Sequence, residues 1–278
     1  MYINTLPSRS ELTDSMKVSL DNELNNEEIL LCNIELNGWF FKCANYFLQR
    51  DKDFVIEAIS RNFTVLQHVK SRFQKDPEVV LIAIANCQSA IQWANKTLCK
   101  DKGFVLQAVQ VNALVLEHVH LKFREDYDVC LAAIKSSIRA FHLIDKTLQE
   151  DKGFVLQAVR VNELVFERVH VKFRADYDVC LAALESSIRV FHLIDPTLQE
   201  DKEFILQAVK VNFLVLEYLH PKFKKDYDIA VSAVHSAPGA IDLIDPDLLC
   251  QYPELRLADD IRSVISDPAY HLIKKEAS

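Results

Sequence analysis

The stretch DKGFVLQAVQVNALVLEHVHLKFRE, residues 101–125, decides the fold. It returns with small changes at 51, 151 and 201, and in a looser form at 76, 126, 176 and 226. Its register residue is Asp51, Asp76, Asp101, Asp126, Asp151, Asp176, Asp201 and Asp226, and Asn26 extends the series backwards. Self-similarity at a fixed period of this length marks a stack of supersecondary units, none of which can bury its apolar face alone.

Counted from the Asp, position 8 is Ala in eight of nine units (Ala58 to Ala233), and only Asn33 departs. Positions 4, 5 and 9 are apolar, and the steps among 4, 5, 8 and 9 are helical. The Asp reads as an N-cap whose carboxylate accepts the free N–H groups of the first turn. Acids at position 3, such as Asp128 and Asp178, suit the helix dipole. Position 12 is Asn in Asn37, Asn62, Asn112, Asn162 and Asn212. Asn tolerates left-handed backbone and caps a following helix, so it fits a break between two helices. Positions 16, 19 and 23 are apolar throughout, as in Leu116, Val119 and Phe123, which predicts a second helix with one apolar stripe. Each helix is expected to have about ten residues, too short to stand alone in water.

Alternate units differ. One kind has Phe at position 4 and a basic end (Lys122 to Arg124), and the other opens Asp-Tyr-Asp. The larger period is therefore a 50-residue pair. β-Propellers share such a period, but four glycines in 278 residues and the helical spacing exclude them. The expected fold is all-α, an α-solenoid of about nine 25-residue helical hairpins over residues 26–250. Residues 1–25 are expected to cap the N-terminal end, with a short helix around Leu12 to Leu20. Residues 251–278 are expected to give a capping helix from Pro253 through Ile265, then a tail.

Half of the residues are apolar, and no apolar run approaches the length of a membrane span. The opening residues Met1 to Thr5 lack a basic-then-apolar signal. Seven cysteines without framework spacing, with Cys130 and Cys180 at the apolar position 5, read as buried thiols in a reducing cytosol. A net charge of −8 makes nonspecific nucleic-acid binding unlikely.

His120, His170 and His220 recur every 50 residues, too far apart for one metal site. They read as inherited copies near helix C-termini, where protonation is favoured. The stripe Lys122, Lys172 and Lys222, with Arg72, reads as a solvated surface compensated by acids. Trp39 and Trp93 read as core. No phosphate-cradling Gly loop, two-His metal helix motif or Cys–His signature occurs, so no catalytic residue, metal or cofactor is expected.

Residues 101–150 and 151–200 differ at ten of 50 positions. Four are apolar swaps, and six change charge or polarity, among them Gln110/Arg160, Ala113/Glu163, His118/Arg168 and Lys135/Glu185. The frame is kept while exposed positions vary, which reads either as drift on a tolerant surface or as a binding face tuned along its length. Position 13 (Phe63, Ala113, Glu163, Phe213) opens the second helix and is expected to be exposed, with Phe63 and Phe213 as anchors. His118 and Arg168 complete the partner-binding candidates.

The unit Asp-Lys-x-Phe-Val-x-x-Ala-Val, clearest at Asp101 to Val109 and its copies at 151 and 201, resembles a short helical repeat catalogued only as a domain of unknown function. The resemblance covers roughly residues 26–250 and departs at Asn33 and at Gly38-Trp39. Such repeats are found among protists and among effectors of intracellular bacteria. The resemblance therefore implies an effector, or a regulator of one, working in host cytosol, and brings no catalytic residues. The expected function is a non-catalytic protein-binding scaffold whose partner is another protein of host or bacterium. The rivals are a helical-repeat reader of single-stranded RNA and an enzyme with an unrecognised site.

Overall fold

The computed structural model describes residues 26–253 and Leu255. The expected helix at 12–20 and almost all of the expected cap and tail beyond 253 lie outside the described residues. The chain forms two compact units, one up to Asp145 and one from Lys146 onward. Among the described residues no strand occurs, and each unit is an all-α helical-repeat stack of the solenoid class.

The first half of every repeat is a ten-residue α-helix. The first unit contains α1 (Glu27–Leu36), α2 (Lys52–Arg61), α3 (Pro77–Asn86), α4 (Lys102–Val111) and α5 (Tyr127–Ser136). The second contains α6 (Lys152–Val161), α7 (Tyr177–Ser186), α8 (Lys202–Val211) and α9 (Tyr227–Ser236). The N-cap expectation holds. Asp51 Oδ1 accepts the N–H groups of Asp53 and Phe54 at 2.8 and 3.2 Å, and Asp101 Oδ1 accepts that of Phe104 at 2.8 Å. Within each unit successive ten-residue helices pack on one another. Their contact runs through the position 8 alanines, all eight of which are fully buried. A small side chain there lets the helix backbones approach.

The second half differs from expectation. A ten-residue α-helix is not formed. Instead a 3₁₀ segment of five or six residues, such as Ala113–Glu117 or Ile138–Leu143, is followed by a break. A short turn then closes the repeat, such as Leu121–Phe123 or Lys146–Gln149. Position 16 lies inside this segment and position 19, such as Val119 or Ile144, just beyond it, so the apolar stripe does not continue along one α-helix. The break follows position 20, where His120 is extended with ψ of 141°. Pro196, Pro221 and Pro246, all at position 21, then open a new turn, where a missing N–H costs nothing.

The junction at position 12 is also extended rather than left-handed. Asn112 has φ of −149° and ψ of 102°, and among the described residues no non-glycine has positive φ. The reason is the cap itself. An N-cap residue sits in the β-region so that its side chain can reach the N–H two residues on. The departure at Gly38 has a steric cause. A Cβ there would collide with Thr64 Oγ1 and come within 3.0 Å of Val65 N, so this crossing needs glycine. Trp39 is not core but 48% exposed.

Candidate functional site

Three sets of side chains fix the frame, within each repeat and between neighbouring repeats, and leave the rest of the surface free to vary. The first is the position 12 Asn. Asn112 Oδ1 accepts the Leu114 N–H at 3.2 Å, while its Nδ2 donates to Ile84 O of the preceding repeat at 3.2 Å. Asn62 and Asn212 donate in the same way to Ile34 O and Leu184 O, at 3.0 and 3.1 Å. One amide thus caps one helix and satisfies a C-terminal carbonyl of another.

Position 24 supplies the second set. Arg124 Nε donates to Leu116 O at 2.8 Å, Gln74 Nε2 to Leu66 O at 3.1 Å, and Lys224 Nζ to Glu217 O at 2.8 Å. Each long side chain folds back onto carbonyls that the 3₁₀ segment leaves open. At position 22, Lys122 and Lys172 reach Lys100 O and Glu150 O, at 3.4 and 3.3 Å, and Arg72 donates to Arg50 O. The basic stripe is therefore partly committed to backbone carbonyls, beyond the charge compensation expected of it.

The third set is an ion-pair ladder. Lys52, Lys102, Lys152 and Lys202 each bridge two acids at positions 1 and 3 of the next repeat. Lys102 Nζ lies 2.9 Å from Asp126 and 2.7 Å from Asp128, and Lys152 lies at the same distances from Asp176 and Asp178. Hydrogen bonds to Asp128 and Asp126 raise the Lys102 ammonium above its ordinary value, and those to Asp226 and Asp228 raise Lys202 to about 12. At Asp126 desolvation acts upward. The Lys102 hydrogen bond, the Val129 N–H and the Lys102 charge outweigh it and hold the carboxyl low.

Above this frame lie two equivalent clefts, one in each unit. In the first unit a cleft of about 410 Å³ is lined by residues of 110–114 together with Ser136, Ser137 and Arg139. In the second unit a cleft of about 210 Å³ is lined by Glu163, Leu164, Glu167, Ser187, Arg189, Val190 and Leu193. The walls come from a segment within positions 10–17 and from the junction of the next repeat. Two of the ten twin differences enlarge a side chain at this place, Ala113/Glu163 and Ala140/Val190, in line with the smaller second cleft.

Position 13 is not exposed as expected. Ala113 is buried and lines the first cleft, and half-buried Glu163 lines the second. Phe63 is half-buried and stacks on Trp93 with centroids 5.8 Å apart. Phe213 is half-buried beside Gly239, where an added Cβ would stand 3.9 Å from its Cζ. The cause is the following repeat, whose 3₁₀ segment lies against position 13. His118 and Arg168, just after the 3₁₀ segment, are exposed and line neither cleft. Sequence reasoning missed Arg139 and Arg189 as cleft residues. Their signal was a cation at position 14 of two successive pairs.

The recurrent histidines have a different role from the one expected. His120, His170 and His220 cap the closing turn, with Nδ1 accepting the N–H of Lys122, Lys172 and Lys222 at 3.2, 3.2 and 3.3 Å. The extended backbone at position 20 puts the ring at an N-terminus instead of a C-terminus. Cys130 and Cys180 are fully buried, and burial, followed by the charges of nearby Asp residues, pushes both thiols up to about 12. Among the described residues no group of three or more His, Cys, Asp or Glu side chains is placed to hold a metal ion. No helix among them is long and apolar enough to cross a membrane.

The family model described as a domain of unknown function (DUF4116) matches residues 26–74, 51–99, 76–122, 101–149, 151–199 and 201–249. No curated protein and no solved structure matches the chain. The overlapping matches are offset by the spacing of the caps, and together they span most of the sequence. The chain therefore belongs to the family described as a domain of unknown function (DUF4116), which it carries as a helical repeat matched six times.

Proposed function

We propose that the chain is a non-catalytic, protein-binding repeat scaffold. One observation carries this reading. The Asn, position 24 and Lys–Asp bonds recur from repeat to repeat, while exposed and cleft side chains change in charge and size between pairs. A frame that is maintained beside a surface that varies suits selective protein contact, as in other stacked repeats. His118 and Arg168, exposed at equivalent positions with different shape, belong to that surface. The likeness of the repeat to secreted effectors supports a partner in host cytosol, with the chain as an effector or a regulator of one.

A photo-crosslinking amino acid at 118 or 168, with exposed Asp53 as control, tests this in cells that express the chain. The expected result is one protein adduct shared by 118 and 168 and absent at 53. Equal labelling at all three sites, no adduct at any, or adducts that disappear with ribonuclease would overturn it. The last result would favour the RNA reader.

A further inference from the structure

The two clefts share positions 13 and 14 of one repeat and positions 12 and 14 of the next, and they have opposite electrical character. In the first, Arg139 stands exposed at the mouth. Among the described residues its guanidinium meets no carboxylate or carbonyl, since the bond its residue makes is from the backbone N–H to Ser137 Oγ. Ser137 accepts that bond at 3.3 Å and keeps its own O–H proton to donate. The carboxamide of Gln110 is likewise uncommitted, as the bond at this residue is to its backbone carbonyl. Three donors with no assigned acceptor therefore converge on a cleft whose lining includes no acid. Its apolar part is Val111, 47% exposed, and Leu114.

The second cleft carries its own carboxylates. Glu163 and Glu167 both line it, and on its rim Arg160 is paired with Glu185 at 3.8 Å. Taken over the same five positions, the first cleft has Lys135 and Arg139 against Glu117. The second has Arg160 and Arg189 against Glu163, Glu167 and Glu185. The chain as a whole is acidic, with a net charge of −8, so an unpaired guanidinium facing a donor-lined cleft goes against the general balance.

We infer that the cleft formed by Gln110, Val111, Ser137 and Arg139 is a docking site for an acidic–apolar segment of a partner polypeptide. Arg139 takes a carboxylate in the paired geometry that guanidinium favours, Ser137 and Gln110 supply further donors, and the neighbouring apolar side chain rests on Val111 and Leu114. The second cleft is the same site held shut to acids by Glu163. The inference rests on the protein-binding reading and names the chemistry of the bound segment.

Fluorescence anisotropy with the labelled peptide Gly-Glu-Leu-Glu-Ser-Gly, and with Gly-Gln-Leu-Gln-Ser-Gly as control, provides the test. One Glu peptide is expected to bind per chain, and the Gln peptide about tenfold more weakly or not at all. Arg139→Gln and Ala113→Glu should each weaken the Glu peptide about tenfold, the loss of one charge-assisted pair. Arg139 is exposed and unpaired, so Arg139→Gln keeps the fold, which circular dichroism checks. Glu163→Ala should raise the stoichiometry from one peptide to two. Equal binding of the two peptides, wild-type affinity in Arg139→Gln, or a stoichiometry unmoved by Glu163→Ala would overturn the inference. The crosslinks at 118 and 168 do not involve the cleft, so either experiment can fail while the other succeeds.

Discussion

The pairs beginning at Asp101 and Asp151 are nearly the same molecule twice, and both keep the residues that bond one repeat to the next. Both have an Asp N-cap, with Phe N–H to Asp Oδ1 at 2.8 and 2.6 Å, a fully buried Ala at position 8, and a Lys bridged to two acids at matching distances. Their differences include two buried apolar swaps, Leu116/Phe166 and Ile134/Leu184, as well as changes at the clefts and at the exposed position 18. The comparison teaches that the repeat separates two tasks by position. Positions 1, 2, 3, 8, 12 and 22 hold neighbours together, position 24 braces its own repeat, and position 18 is exposed.

The strongest challenge to that equivalence is to overfill the helix contact. Ala108 and Ala158 are both fully buried between neighbouring helices. Ala108→Leu and Ala158→Leu should each cost about 1–3 kcal/mol by overpacking, with urea unfolding as the readout. A cost in one pair and none in the other would show that the two frames are not equivalent.

A finer test uses a place where the twins already diverge. Arg124 Nε donates to Leu116 O, whereas Arg174 Nε is buried without a partner, although Arg174 still donates to Glu167 O at 2.8 Å. Removing a satisfied buried group leaves its acceptors open, and removing an unsatisfied one relieves a desolvation penalty. Arg124→Met should therefore destabilise by about 1–3 kcal/mol, and Arg174→Met by about 1 kcal/mol less. Equal losses in urea unfolding would mean that the orphaned nitrogen carries no penalty.

Much of this was legible in the sequence, and what was missed has particular causes. The first helix of each repeat announces itself through local signals, since the cap lies within three residues of its acceptors and the stripe at 4, 5, 8 and 9 fits only one winding. The second half does not. A step of three from Leu116 to Val119 fits α and 3₁₀ windings equally, and proline at position 21 in three repeats was the clue that the chain starts a new turn there. The double use of Asn112 and the recoil of Arg124 depend on where neighbouring carbonyls lie, which no local pattern reports. Position 13 failed for the same reason, because its cover comes from the following repeat.

Thiol chemistry extends the comparison to rates. Cys130 and Cys180 occupy the same buried place in the two pairs, and both thiols are raised to about 12. Cys32 and Cys250 are exposed. With native protein at neutral pH, iodoacetamide followed by peptide mass mapping should label Cys32 and Cys250 first and leave Cys130 and Cys180 unmodified together. Labelling of Cys130 well before Cys180 would show that the first pair opens more readily.

The smallest effect belongs to the ladder, because its members are largely exposed and such pairs contribute little individually. Its sign is nevertheless fixed. The Lys102 and Lys152 ammonium groups are raised in the folded chain by their hydrogen bonds to Asp128 and Asp126, and to Asp178 and Asp176. Their contribution is complete below the ordinary lysine value of 10.5 and is lost as pH rises through the higher folded value. Asp126 works in the other direction. Its folded carboxyl is held low, so its contribution is present above the ordinary 3.8 and is lost as pH falls through the folded value. The urea midpoint should therefore decline at both extremes of pH. Lys102→Gln and Lys152→Gln should flatten the alkaline decline by similar amounts, because the two lysines keep matching distances to their acids. An alkaline limb unchanged in the double variant would separate the ladder from stability. The alignment of neighbouring repeats would then rest on helix packing and on the position 12 Asn and position 22 bonds.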